Sequence, residues 1–357
     1  MTKQILVKKN NIDLTNKHIT DTKNPNNKNN FLLLNYYQQG KLDDAEKLAL
    51  TIIKDFPNHM FSWKALGSIF YKQNRKKEAL NANQVALNLA PNDSEILNNL
   101  GVVLKDLKRS EEAVNAFKKA LSIKKDYAEA HYNLGSTLKE LGKLRYAEKI
   151  LKEAIRLKPN YVEAYNNLGN TLKELGKLNE AITFLSYAIK LNPIYTEAYN
   201  NLGVMLLDIG KIKESITIFK KAINHKPKFF EAHNNLGTAY QEIGNAKEAI
   251  TCYIKAIKLN PDYIEAWNNI YFPLQIIKSE KNYTKGYLSS LLKKELPETT
   301  KVYQSLLKYK LNIGGVKSEY FFNKAILDVS TNNNIPISNP KSADNCYKKT
   351  NTNSKKI

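Results

Sequence analysis

Residues 163–182 read EAYNNLGNTLKELGKLNEAI, and residues 231–250 read EAHNNLGTAYQEIGNAKEAI. Most of both stretches is ordinary amphipathic helix, but each carries two adjacent asparagines in mid-helix, in the same register. Asparagine in a helix interior costs about half a kcal/mol relative to alanine. Its recurrence therefore needs a reason, and the spacing of the copies supplies the frame. Leu-Gly occurs at 66–67, 100–101, 134–135, 168–169, 202–203 and 236–237, every step being 34 residues.

With position 1 of the unit set at Met60, the other positions follow. Position 4 is large: Trp63, Leu97, His131, Tyr165, Tyr199, His233 and Trp267. Position 20 is Ala79, Ala113, Ala147, Ala181, Ser215 and Ala249, and position 27 is alanine in each of these units. Position 32 is Pro91, Pro159, Pro193, Pro227 and Pro261, with Lys125 as the exception. Seven units span 26–263 and an eighth begins at 264.

Positions 3, 4, 7, 8 and 11 form one stripe at helical spacing, which predicts a first helix with that side buried. Glycine at position 8 and a small residue at position 20 allow a second helix to approach closely. Gly142, Gly176, Gly210 and Gly244 fall where the chain must turn between the two. The second helix opens with acids such as Glu111, Glu112 and Glu214 and ends with lysines such as Lys118, Lys119, Lys220 and Lys221, which suits the helix dipole. Proline then ends it. One hairpin cannot bury its apolar face alone, so the units must stack.

These spacings of a large residue, Leu, Gly, Ala, Ala and Pro in 34 residues resemble the tetratricopeptide repeat (TPR). The resemblance implies an all-α fold: a right-handed superhelical solenoid of hairpins whose first helices line a concave groove. The stretches FPNHMFSWKALGSIFYKQ and ANQVALNLAPNDSEILNNLG resemble bacterial TPR regions that precede sulfotransferase or O-GlcNAc-transferase-like domains. The segment EAWNNIYFPLQ at 265–275 is similar to the join between such repeats and a catalytic part. The expected organisation is a disordered segment at 1–25, the solenoid at 26–277, a C-terminal helical cap at 278–330 and a disordered basic tail at 331–357.

Positions 2, 6, 9 and 13 of the first helix lie opposite the buried stripe. Position 6 is Asn99, Asn133, Asn167, Asn201, Asn235 and Asn269. A carboxamide carries donors and an acceptor, so a row of them can pair with the main chain of an extended segment whatever its sequence. The resemblance to the O-GlcNAc transferase repeats implies the same use, a ladder of asparagines holding peptide. Position 5, also mostly asparagine, lies beside this row, and the sequence leaves its role, peripheral or otherwise, open. Glu129, Glu163 and Glu197 at position 2, and Lys105, Lys139 and Lys173 at position 12, form a secondary groove set. Such a groove favours extended segments with basic or neutral polar residues. TPR proteins that clamp a C-terminal carboxylate carry a basic set which the frame Lys64, Ser68, Asn99, Glu129, Asn133 does not match.

The chain's net charge is +21. Residues 1–30 carry +4 and residues 278–357 carry +9, so the repeats are nearly balanced and nucleic acid is disfavoured as the groove's partner. The two cysteines, Cys252 and Cys346, suggest neither a disulfide framework nor a metal site. The longest N-terminal apolar patch, Ile5 to Val7, is too short for a signal peptide, and no run suits a membrane span. The five histidines lack ligand spacing, and no phosphate-binding glycine motif occurs. The expectation is a cytoplasmic, non-enzymatic scaffold without cofactor or metal. It binds an extended protein or peptide segment, or else serves as the recognition arm of a transferase whose catalytic domain is elsewhere.

Overall fold

The computed structural model describes residues 27–279; the expected disordered ends and the cap at 278–330 lie outside these residues, save the last turn of the final helix. The described residues form two compact units that meet at Pro159 and Asn160. The first holds α1 (Asn27–Gln38), α2 (Leu42–Asp55), α3 (Met60–Lys72), α4 (Lys76–Leu89), α5 (Ser94–Asp106), α6 (Ser110–Ile123), α7 (Ala128–Glu140) and α8 (Leu144–Leu157). The second holds α9 (Val162–Glu174), α10 (Leu178–Leu191), α11 (Thr196–Asp208), α12 (Ile212–His225), α13 (Phe230–Glu242), α14 (Ala246–Leu259) and α15 (Ile264–Ser279). Each unit is all-helical among the described residues, and successive helices pair as hairpins that stack in sequence order.

The hairpin is set by two backbone demands. The turn residue takes a left-handed conformation, as at Gly176 with φ +75°. The next amide then reaches back to the first helix: Lys177 N–H donates to Leu172 O at 2.8 Å, and Gly176 N–H to Lys173 O at 2.8 Å. That pattern satisfies carbonyls the helix end would otherwise leave unpaired. Asn74 and Lys108 hold the same conformation at φ 59° and 64° without being glycine. The second demand is close approach. A methyl group at Gly101 would lie 2.5 Å from the Phe117 ring, and one at Gly203 would lie 2.5 Å from the Phe219 ring. Position 8 therefore stays bare so that the position-24 side chain can lie across it.

The core of each unit is a succession of apolar clusters between paired helices. Alanines of positions 20 and 27, such as Ala113, Ala120, Ala181 and Ala188, are wholly buried. Phe70, Phe117, Phe219 and Tyr253 are the largest side chains fully enclosed. Asn83 is the exception at position 24. It is wholly buried, its Nδ2 donates to Ala79 O at 2.8 Å, and its Oδ1 has no partner. The final helix continues through the buried Pro273 to Ser279, two residues past the expected end at 277.

Position 4 also locks the loop before it. Trp63 Nε1 donates to Pro57 O at 2.8 Å and Trp267 Nε1 to Pro261 O at 3.0 Å. The Nε2 atoms of His131 and His233 lie 3.0 Å from the carbonyls of Lys125 and Pro227. Burial lowers the pKa of His233, which keeps it neutral in this packing role.

Candidate peptide groove

The position-6 asparagines are all half-buried on the first helices, as their register requires. In the first unit these are Asn99 and Asn133; in the second they are Asn167, Asn201, Asn235 and Asn269. Their amides are not idle. Asn133 Nδ2 donates to Asn98 Oδ1 at 3.0 Å. In the second unit Asn201 donates to Asn166 at 2.8 Å, Asn235 to Asn200 at 3.0 Å and Asn269 to Asn234 at 3.1 Å. Each bond joins position 6 of one repeat to position 5 of the repeat before it.

Position 5 is thus not peripheral. Asn98, Asn166 and Asn234 are buried, and their carbonyls receive these bonds. A buried amide carbonyl left without a donor would cost about 1–3 kcal/mol, so each pair fixes both partners. The ladder amides are correspondingly turned partly into helix-to-helix contacts. One N–H of each pair's donor is used. The second N–H and the carbonyl keep their capacity, although Asn235 Oδ1 also accepts a long bond of 3.4 Å from Asn234. Asn99 differs, because position 5 before it is Lys64, which pairs with Asp93 at 3.1 Å and with Glu95. The clue available in the sequence was co-occurrence: position 5 is asparagine ahead of Asn133, Asn201, Asn235 and Asn269 alike.

Lys105 does not line an open edge. Its Nζ pairs with Glu140 and donates to Ser136 Oγ, both at 2.9 Å. Lys173 likewise pairs with Asp208 at 3.2 Å, and Lys139 also has a partner. Position 12 thereby bridges to position 13 of the next repeat, and its charge is spent on stacking. Glu129 and Glu163 are exposed. Glu197 sits lower. Burial would raise its pKa, but bonds from backbone, Thr196 Oγ1 at 3.1 Å and Lys226 Nζ at 3.3 Å outweigh that and hold it below the usual carboxylate range.

Within the second unit these groups line an open, shallow pocket of about 300 Å3, where Asn166, Asn200 and Asn201 meet Glu197, Lys226 and Phe229. The Lys226 ammonium lies 4.6 Å from the centre of the Phe229 ring. The pocket offers amide donors and acceptors, a carboxylate and an aromatic wall within one small space, which suits a polar main chain with a short side chain.

The Cys252 thiol is buried, and burial pushes its pKa up to about 12. Among the described residues no group of His, Cys, Asp and Glu could hold a metal ion, and no helix is long and apolar enough to cross a membrane.

Models of the tetratricopeptide repeat match residues 32–94, 162–195 and 230–263, and a further TPR model matches 103–142, 138–176 and 205–244. No curated protein matches the chain significantly. Among solved structures, the Cut9 and Hcn1 hetero-tetramer of the APC/C is 16% identical over 70% of this chain and 49% of that one, with a TM-score of 0.61. Pseudomonas aeruginosa pilF is 17% identical over 62% of this chain and 97% of that one, at 0.53. YrrB, described as a TPR protein with an unusual peptide-binding site, is 25% identical over 53% of this chain and 97% of that one, at 0.44. The first two likenesses are of fold. With repeat models covering more than half of its length, the chain belongs to the tetratricopeptide repeat proteins, helical scaffolds for binding other proteins and peptides.

Proposed function

We propose that this chain holds an extended segment of another protein along its first-helix face, with the position-6 amides gripping the segment's main chain. The observation that carries this reading is the pocket at Asn166, Asn200, Asn201, Glu197, Lys226 and Phe229. There a ladder amide is held still by its neighbour while its carbonyl remains available. Preorganised amides lose little entropy on binding, which favours a main-chain ligand over a solvated one. The lysines at 105 and 173 are neutralised by Glu140 and Asp208, so the exposed Glu129 and Glu163 set the sign of the edge. Segments with basic or neutral polar residues fit it best.

The test is comparative affinity capture with the wild type and the triple variant Asn133→Ala, Asn167→Ala, Asn201→Ala. That variant also removes two joints between repeats, so Asn98→Ala with Asn234→Ala serves as its control. The control breaks two joints of the same kind, touches no residue of the pocket and keeps every ladder amide. Groove ligands should be lost from the triple variant, each amide being worth about 1–3 kcal/mol of binding, and retained by the control. Identical captures from wild type and triple variant would remove the ladder's role. The segment at 265–275 resembles a join to a transferase. A glycosyl- or sulfotransferase found among the ladder-dependent partners would select the recognition-arm reading.

A further inference from the structure

The first unit holds a second cavity that the amide row does not touch. In the repeat at 162–195, Tyr165 of position 4 has its ring centre 6.1 Å from that of Phe184 and 5.9 Å from that of Tyr187, at positions 23 and 26. These three rings pack on one another, with Tyr165 and Phe184 half-buried and Tyr187 exposed at the edge. In the repeat at 94–127 the same three positions are Leu97, Ala116 and Lys119. No aromatic ring stands at any of them, and a cavity of about 530 Å3 lies across α4, α5 and α6. Its floor is Leu97, Leu100, Leu104 and Ala116, all buried. Its volume falls within the roughly 300–1,000 Å3 usual for ligand pockets.

Its rim is charged. Arg109 grips Glu112 through two hydrogen bonds of 2.7 Å each, so those two cancel. Lys77 and Lys119, both exposed, leave the rim doubly positive. This rules against the chain's own ends as occupants, because residues 1–30 carry +4 and residues 278–357 carry +9. Leu97, Leu100 and Leu104 also leave α5 on the side opposite Asn99, so a ligand here and one on the amide row would not compete.

We infer that this cavity is a docking pocket for an aromatic side chain carried on an acidic segment of another protein. The ring replaces those the repeat lacks, and flanking carboxylates meet Lys77 and Lys119. A buried aromatic anchor supplies most of the binding energy at such contacts, and the exposed ion pairs add a salt-sensitive increment.

The experiment uses the full chain and a fluorescein-labelled nonapeptide with one Phe centred among Asp and Glu. Two control peptides carry Ala for the Phe, or Lys for the acids. The acidic Phe peptide should bind, and each control should bind about tenfold more weakly or worse. Ala116→Phe, which installs the residue found at Phe184, should weaken binding about tenfold while leaving helical circular dichroism unchanged. Lys77→Glu with Lys119→Glu should do the same and abolish the salt dependence; being on the exposed rim, this pair decides the matter if Ala116→Phe fails to fold. Absence of binding, equal binding of either control peptide, or binding that survives the rim reversal would overturn the inference.

Discussion

The repeats before Pro159 and those after it share one period but differ at the same few positions. After Asn160, position 24 is Leu185, Phe219 and Tyr253, each lying on a bare glycine, and position 15 is always glycine. Before it, position 24 includes the buried Asn83, and position 15 includes Asn74 and Lys108 in a conformation that suits glycine. The second unit has three asparagine joints between repeats; the first has one. Ion pairs occur in both, such as Lys64 with Asp93, Lys105 with Glu140 and Lys143 with Glu111 in the first and Lys173 with Asp208 in the second. Departures from the repeat pattern collect in the first unit, and so does its unfilled cavity. Among the described residues the buried side-chain atoms without a partner, at Asn30, Asn83 and His131, all lie in the first unit.

Three substitutions test that contrast. Asn83→Leu should stabilise the first unit by about 2 kcal/mol, because it removes a carbonyl with no partner and restores the leucine that Leu151 and Leu185 show to fit beside glycine. Native-state hydrogen exchange resolves the effect, which should appear in α3 and α4 and not in the second unit. An unchanged or faster exchange there would mean that the amide is satisfied in solution.

Asp93→Ala should cost about 1 kcal/mol, since this side chain caps α5 by accepting from the amides of Glu95 at 2.8 Å and Ile96 at 3.0 Å. The corresponding residues of the second unit, Tyr195 and Phe229, make no such cap. Burial would raise the Asp93 pKa, but the Ile96 amide and Lys64 outweigh it, and the net shift is downward. A carboxyl depressed on folding adds stability above its unfolded pKa of about 3.9 and loses it as pH falls through the folded value. The gap between wild type and variant in thermal melting should therefore be full at pH 6 and shrink in acid below about pH 4.

The smallest expected effect is Lys108→Gly, which relieves a left-handed lysine and should gain a few tenths of a kcal/mol, up to about 1. Glycine's greater unfolded-state freedom offsets part of the gain. Its counterpart Gly176→Lys should lose a similar amount in urea unfolding, so the pair measures one position in two settings.

Periodicity made most of the fold legible. A strict 34-residue step carries the packing glycine, the alanines and the terminating proline together, and local physics reads each of them. The glycine turns at 142, 176, 210 and 244 follow from the same register. The site was legible only in part. Position 6 is half-buried on the first helices, and its bond to position 5 spans 35 residues and makes sense only once repeats are stacked. The lysines at position 12 looked like groove chemistry for the same reason, their partners lying one repeat away. The cavity was hidden because Leu97 counts as large at position 4, whereas the cavity's walls come from three helices of two successive repeats. The likeness to transferase-linked repeats remains a reading of the sequence.

The asparagine joints make each repeat half plug and half socket. An amide at position 6 fits the carbonyl at position 5 of the preceding repeat wherever that residue is asparagine, as Asn201, Asn235 and Asn269 do in succession. Excising or copying a whole period anywhere in that run rejoins a matching pair, whereas gaining or losing a single residue mates neither end. Copy number can thus drift over generations while the grip between neighbours is inherited intact.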